Sequence, residues 1–291
     1  MLLSRKGAGC MQKPRSGGGA REKRKWIRRG IQLVTRFESI RRVLFKFCDR
    51  RYSHLAPAHP FDNQYGISTS GFLPGSVLRL GYSLGQTTAD SAYLPEQPSI
   101  IRWALNTLPH HNDATFLDLG CGKGRALVVA SEFPFPSIIG VEICPELVKI
   151  AEENAQVIRR NLPERTPITV VEGNALDYAL PEGNLIIFLY NPFGEDIVTR
   201  LLTNIETTLL KRDSSVWIVY ANPEWGHVFD KSSALSRIYS ECIPFEPGEI
   251  GFGPDSSEVV SIWQDAKSAS VNVHKHPAEM ILGEQATAGP A

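Results

Sequence analysis

Apolar and polar positions along this chain follow two different periods, and from residue 115 onward the two alternate regularly. Residues 116 to 119 form a short apolar run of strand-forming type, glycines follow at 120, 122 and 124, and residues 125 to 130 turn helix-like. Residues 137 to 141 read as the next buried strand, closed by Glu142. Pro145 marks a helix start, and Leu147, Val148, Ala151, Ala155 and Ile158 give that helix a core-facing stripe. Strands are predicted at 167 to 172, 185 to 190 and 215 to 221, with a helix over 195 to 211 that turns Ile197, Leu201, Leu202, Ile205 and Leu209 inward. Continuous apolar strands between helices predict an α/β fold with a mostly parallel sheet covered on both faces. Two later runs, 237 to 244 and 258 to 263, lie too close together for a crossover helix and predict an antiparallel pair at the sheet edge.

Before this core, Ile100, Ile101, Ala104, Leu105 and Leu108 recur at helical spacing and predict a short amphipathic helix over 98 to 108. Residues 61 to 72, Phe-Asp-Asn-Gln-Tyr-Gly-Ile-Ser-Thr-Ser-Gly-Phe, read as an aromatic, turn-rich loop of the kind that carries function. His110 and His111 have no acid or cysteine at ligand spacing and read as loop residues. Residues 1 to 25 are rich in Gly, Ser, Lys and Arg and are expected to be disordered, whereas 26 to 51 read as a basic amphipathic helix. The expected organisation is a basic extension (1–60), a lead-in segment and helix (61–110), a core (111–265) and a disordered tail (266–291).

Charge sharpens this division. The 291 residues carry no net charge, yet residues 1 to 60 hold 16 Lys and Arg against 3 Asp and Glu, and the remainder holds 15 against 28. Such an arm predicts attraction to nucleic acid, the ribosome or an anionic membrane face, or else packing on the acidic remainder. No apolar run reaches the roughly 18 residues of a membrane span, and Arg5 and Lys6 exclude a secretory reading of the stretch ending at Cys10. Five cysteines without a C-x-x-C pair suit a reducing compartment, with the cytoplasm as the default. Cys121, inside the glycine turn, reads as a small residue that fits there.

A strand that runs into a glycine turn and a helix places a ligand beyond the carboxyl end of that strand. A dinucleotide fingerprint is disfavoured, because Arg125 stands where G-x-G-x-x-G needs its last glycine. A phosphate-binding loop is absent as well, since Lys123 is followed by Gly124. Glu142, 18 residues beyond Gly124, offers two acceptor oxygens suited to a ribose diol. The stretch Asp118-Leu-Gly-Cys-Gly-Lys-Gly124 resembles the first motif of class I S-adenosylmethionine-dependent methyltransferases. That resemblance implies a Rossmann-like sheet and S-adenosyl-L-methionine as cofactor. Its methionine part would meet Gly120, Gly122 and Gly124, its amino group Asp118, its ribose Glu142 and its adenine Asn174 and Ala175. The F-D-x-x-Y-G-x-x-T pattern followed by Tyr93-Leu-Pro95 is similar to a bacterial methyltransferase-like group.

Tyr190-Asn-Pro-Phe-Gly194, at the end of the fourth strand, looks like the N-P-P-[YFW] motif of nitrogen methyltransferases without its second proline, and is also similar to the N-N-F motif of histone-lysine methyltransferases that lack a SET domain. Asn191, Pro192 and Phe193, with Tyr93, are therefore the candidate acceptor-site residues, and Asn222-Pro-Glu-Trp225 repeats the Asn-Pro pair on the same rim. Tyr93, Tyr190 and Glu195 are the candidate bases. The expected activity is methyl transfer to a nitrogen of a protein side chain or nucleic acid base. The rival reading is a non-catalytic cofactor-fold module that uses its basic arm to bind RNA, membrane or protein.

Overall fold

The computed structural model describes residues 43, 57–73, 92–109, 111–190, 193–211 and 213–265. Residues 1–42 and 44–56 of the N-terminal extension and the tail from 266 lie outside the described residues, as do 74–91, His110, Asn191, Pro192 and residue 212. The strands are β1 (Ala114–Leu119), β2 (Ser137–Glu142), β3 (Ile168–Glu172), β4 (Asn184–Tyr190), β5 (Val216–Ala221), β6 (Leu235–Pro244) and β7 (Ser257–Asp265). The helices are α1 (Pro60–Tyr65), α2 (Pro98–Thr107), α3 (Arg125–Ala130), α4 (Pro145–Asn161), α5 (Glu195–Leu209) and α6 (Gly226–Phe229).

All seven strands form one sheet in the order β3-β2-β1-β4-β5-β7-β6. The first five in that order are parallel, and β7 runs antiparallel to both β5 and β6, so the expected edge pair is present. Strand order reverses between β1 and β4, and a crevice opens at such a switch point beyond the carboxyl ends of the strands. The glycine turn after β1 and Tyr190 at the end of β4 flank that crevice.

Alternation along each strand feeds two apolar layers. Ile186 and Phe188 of β4 join the layer that contains α2 and α3, and Leu185, Ile187 and Leu189 join the layer closed by α5. Pro145 stands at the first position of α4, with Glu146 in the first turn and Arg159 and Arg160 in the last, so the ends match the helix dipole.

Two sequence expectations change. Residues 61 to 72 are not all loop, because α1 starts at Pro60 and ends at Gly66, whose φ of 69° ends the helix. His59 caps it, with its ring Nδ1 accepting from Phe61 N–H at 3.0 Å. Six residues are too few for a helical period to show in the pattern. The edge pair is also longer than expected, with β6 starting at Leu235 and β7 running on to Asp265, whereas α2 buries Ile100, Ile101, Ala104 and Leu105 against α3 and the sheet as its apolar stripe predicts.

Candidate functional site

The glycine turn is held from four sides. Gly120 N–H and Cys121 N–H donate to Val141 O on β2, at 2.8 and 3.1 Å. Gly122 N–H donates to Glu142 Oε2 at 2.9 Å, and Asn154 of α4 donates to Lys123 O at 2.9 Å. Finally, the Tyr93 ring lies on Gly122, where an added Cβ would sit 2.4 Å from a ring carbon. Gly120, Gly122 and Gly124 have φ of 90°, 55° and 83°. At Gly122, therefore, both conformation and contact exclude a side chain.

The turn places two carboxyls together. Asp118 lies one residue from the end of β1, paired with Gly140 on β2 and Phe188 on β4, and is 4% exposed. Its carboxylate has no hydrogen-bond partner among the described residues; burial, and secondarily the charge of Glu142, push its pKa well up. Glu142 is also raised by burial, opposed by N–H donors from Cys144, Gly122 and Ile143. Its Oε1 accepts from Cys144 N–H at 2.8 Å. A carboxylate has about four acceptor sites, so these three donors leave room for a further one. Gly140 is glycine because a Cβ there would press on Cys121 and Leu127 at under 3.0 Å. Burial and the two acids push the Cys121 thiol well up, so it fills space and is no nucleophile.

Asn174 follows β3, as expected, but is engaged locally: its Oδ1 accepts from Leu176 N–H at 3.0 Å and its Nδ2 donates to Asp177 at 2.8 Å. Gly173 N–H donates to Glu142 O at 2.9 Å, which brings this turn, with the buried Ala175, beside the second acid. Tyr93 is buried, and its hydroxyl donates to Thr69 O. Burial pushes its pKa above the usual tyrosine range, which leaves it a wall of the turn and unsuited to accept a proton. Phe193 is packed in the layer under α5, with Ile197, Val228 and Phe229, so its ring closes that layer rather than offering a free stacking face. Glu195 lies at the surface, 3.1 Å from His227. Asn222 takes φ 50° in an exposed turn at the end of β5.

Four residues to which the sequence assigned no role in the site complete the arrangement. Asp62 accepts from Thr69 N–H at 2.8 Å, from Ser70 N–H at 2.7 Å and from the Thr69 hydroxyl. Arg125, the first residue of α3, donates to Thr69 Oγ1 at 2.7 Å, Ser70 Oγ at 3.0 Å and Glu96 O at 3.2 Å, and lies 3.7 Å from Asp62. The arginine that breaks the dinucleotide spacing is thus the clamp that holds the lead-in segment over the turn. Glu96 and Glu258 are buried at the same rim. Asp62 was visible in the F-D-x-x-Y-G pattern, whereas the two glutamates leave no local signal.

Strand order and an acid-flanked glycine turn at the switch point define a Rossmann-like fold of the class I methyltransferase type. Residues 117–189 match the family model of a methyltransferase domain. A protein-lysine N-methyltransferase of Saccharolobus islandicus is 28% identical over 111 residues, which are 38% of this chain and 66% of that protein. This chain therefore spans just under two thirds of that relative's length. Among solved structures, an RNA methyltransferase from Salinibacter ruber in complex with S-adenosyl-L-homocysteine aligns at TM-score 0.41 and 17% identity, over 59% of this chain and 94% of its own. An N-methyltransferase from Bradyrhizobium japonicum aligns at TM-score 0.42 and 14% identity, over 57% and 94%.

Proposed function

We propose that this chain is an S-adenosylmethionine-dependent methyltransferase that acts on a nitrogen acceptor. The observation that carries the reading is the pair Asp118 and Glu142, two buried carboxyls beside a left-handed glycine turn. Asp118 has no hydrogen-bond partner among the described residues. A buried acid of this kind is costly until a cation reaches it, and the α-ammonium of the cofactor is such a cation. Glu142, with acceptor capacity left beside its N–H donors, suits the ribose hydroxyls, and the turn at Asn174 and Ala175 suits the adenine. The cofactor supplies a sulfonium-bound methyl group, which the acceptor's lone pair takes as the C–S electron pair leaves with the thioether sulfur.

The protein's own work is to align the acceptor and exclude water. Asn191 and Pro192 are assigned here to the orientation of the acceptor nitrogen, on the strength of their place directly after Tyr190 at the switch point. The name of the Saccharolobus relative supports an amino nitrogen. Calorimetry with S-adenosylhomocysteine tests the reading. The wild type is expected to bind it at about micromolar strength, and Asp118→Asn, which keeps the shape and removes the charge, should weaken binding by about 1 to 3 kcal/mol. Preference for NAD over S-adenosylhomocysteine would overturn it.

A further inference from the structure

Tyr190, Glu96 and Glu258 come from three distant stretches and meet where β4 and β5 end. Tyr190 pairs with Ala221, and Ala221 with Val260, so the antiparallel course of β7 brings Glu258 to that rim. Asn222 N–H donates to Val259 O at 2.8 Å and fixes this approach. Glu96 arrives just before α2, with its carbonyl held by Arg125. The two glutamates are 4% and 8% exposed. One oxygen of each is used by the next peptide: Gln97 N–H donates to Glu96 Oε1 at 2.6 Å, and Val259 N–H to Glu258 Oε1 at 3.0 Å. Glu96 Oε2 is buried with no hydrogen-bond partner among the described residues.

Neither carboxyl receives a hydrogen bond from a charged side chain among the described residues. The N-terminus of α2 is capped by Glu249, which accepts from Ser99 N–H at 3.0 Å. Arg125 directs its N–H groups to Thr69, Ser70 and the Glu96 carbonyl, so none reaches the Glu96 carboxyl. Burial, and secondarily the charges of Glu96, Glu258 and Asp255, push the Tyr190 pKa well up, so the phenol stays protonated and its oxygen can accept from an N–H group. Two buried carboxyls, one with an unused oxygen, and a phenol at the mouth of the crevice await a group with several N–H donors and a positive charge.

We propose that Glu96 and Glu258, with the Tyr190 hydroxyl, seat a primary alkylammonium acceptor, such as a lysine side chain, and that Glu258 takes the proton this nitrogen must lose. The step breaks one N–H bond and forms an O–H bond at Glu258, and the electron pair stays on nitrogen as the lone pair that attacks. The inference rests on the nitrogen-methylating reading and narrows it, since a neutral nucleobase nitrogen has no use for two buried acids. Burial holds Glu258 up at about 7, so it can receive a proton near neutral pH, and burial with the charge of Glu258 raises Glu96 as well.

The test uses full-length protein saturated with S-adenosylhomocysteine and titrated calorimetrically with n-butylamine and with its neutral analogue n-butanol. The amine should bind at least tenfold more tightly. In Glu96→Gln and Glu258→Gln that preference should fall tenfold or more, while S-adenosylhomocysteine affinity, which reports an intact fold, stays within twofold. Equal binding of amine and alcohol by the wild type, or an unchanged preference in both variants, overturns the ammonium seat and leaves the methyltransferase reading standing. Failure of the wild type to bind S-adenosylhomocysteine overturns both.

Discussion

Glu258 is a residue whose ionisation and stability can be read together. Its carboxyl is pushed from 4.5 up to about 7 by burial, opposed by the Val259 N–H and reinforced by the charge of Asp255. A carboxyl raised in the folded state stabilises nothing when ionised. Below pH 4.5 it is protonated in both states, and as pH rises from there to about 7 the unfolded chain ionises first and wild-type stability falls. The groups facing it (Glu96, Asp255, Tyr190 and, beyond them, Arg125) are common to the wild type and the variant. Glu258→Gln should therefore be more stable than the wild type, with a gap that opens between pH 4.5 and about 7 and stays flat above. Thermal melts at pH 4, 6 and 8 measure this, and a gap of constant size would show that the carboxyl is not buried in its ionised form. Stability gained as function is lost is the expected mark of a working acid pair.

Arg125 and Asp62, both nearly fully buried, make one tie between the lead-in segment and α3, beside the packing of α2 on α3 and the Arg102–Glu132 ion pair. Arg125 and Asp62 both bond Thr69 and Ser70, which lie over the glycine turn. Replacing one partner leaves the other as an uncompensated buried charge, which costs about 3 to 5 kcal/mol, whereas removing both leaves only lost packing and hydrogen bonds. Arg125→Met should thus destabilise the protein by that amount in urea unfolding, and the further change Asp62→Asn should restore part of it. Additive losses in the double variant would mean that the two side chains act independently. α4 makes a second tie, since Asn154 Oδ1 accepts from Ser68 N–H at 2.9 Å while its Nδ2 donates to Ser68 O at 3.1 Å and to Lys123 O at 2.9 Å.

For the molecule as a whole, the uneven distribution of charge is the main fact outside the crevice. Sixteen basic and 3 acidic side chains in residues 1 to 60 stand against 15 and 28 in the rest. If the arm recruits an anionic macromolecule, deletion of residues 1 to 52 should leave S-adenosylhomocysteine affinity within twofold and abolish retention of bulk tRNA. Binding of tRNA by the full chain should fall steeply between 50 and 200 mM salt. Unfolding of the shortened protein would instead show that the arm packs on the acidic remainder, and undiminished tRNA binding would place the anion site elsewhere. No helix among the described residues is long and apolar enough to cross a membrane.

The α/β alternation, the sheet edge and the acid-flanked glycine turn were legible in the order of residues, because each rests on periods and spacings that span fewer than about 30 positions. Asp118, the three glycines and Glu142 lie within one such span. What the chain order could not convey was which distant side chains share a crevice. Phe193 reads as the aromatic of the Asn191-Pro-Phe acceptor motif, yet its ring belongs to the layer under α5. Tyr93 reads as a candidate base, yet it is fixed on Gly122 as a wall. Glu96 and Glu258 read as ordinary acids, one before a helix and one at the start of an edge strand. They become a pair because β7 runs antiparallel beside β5 and Arg125 pulls the lead-in segment across the same rim. Strand direction and long-range clamps are settled by packing the whole sheet, and that packing turned two unremarkable glutamates into the most unusual chemistry of the site.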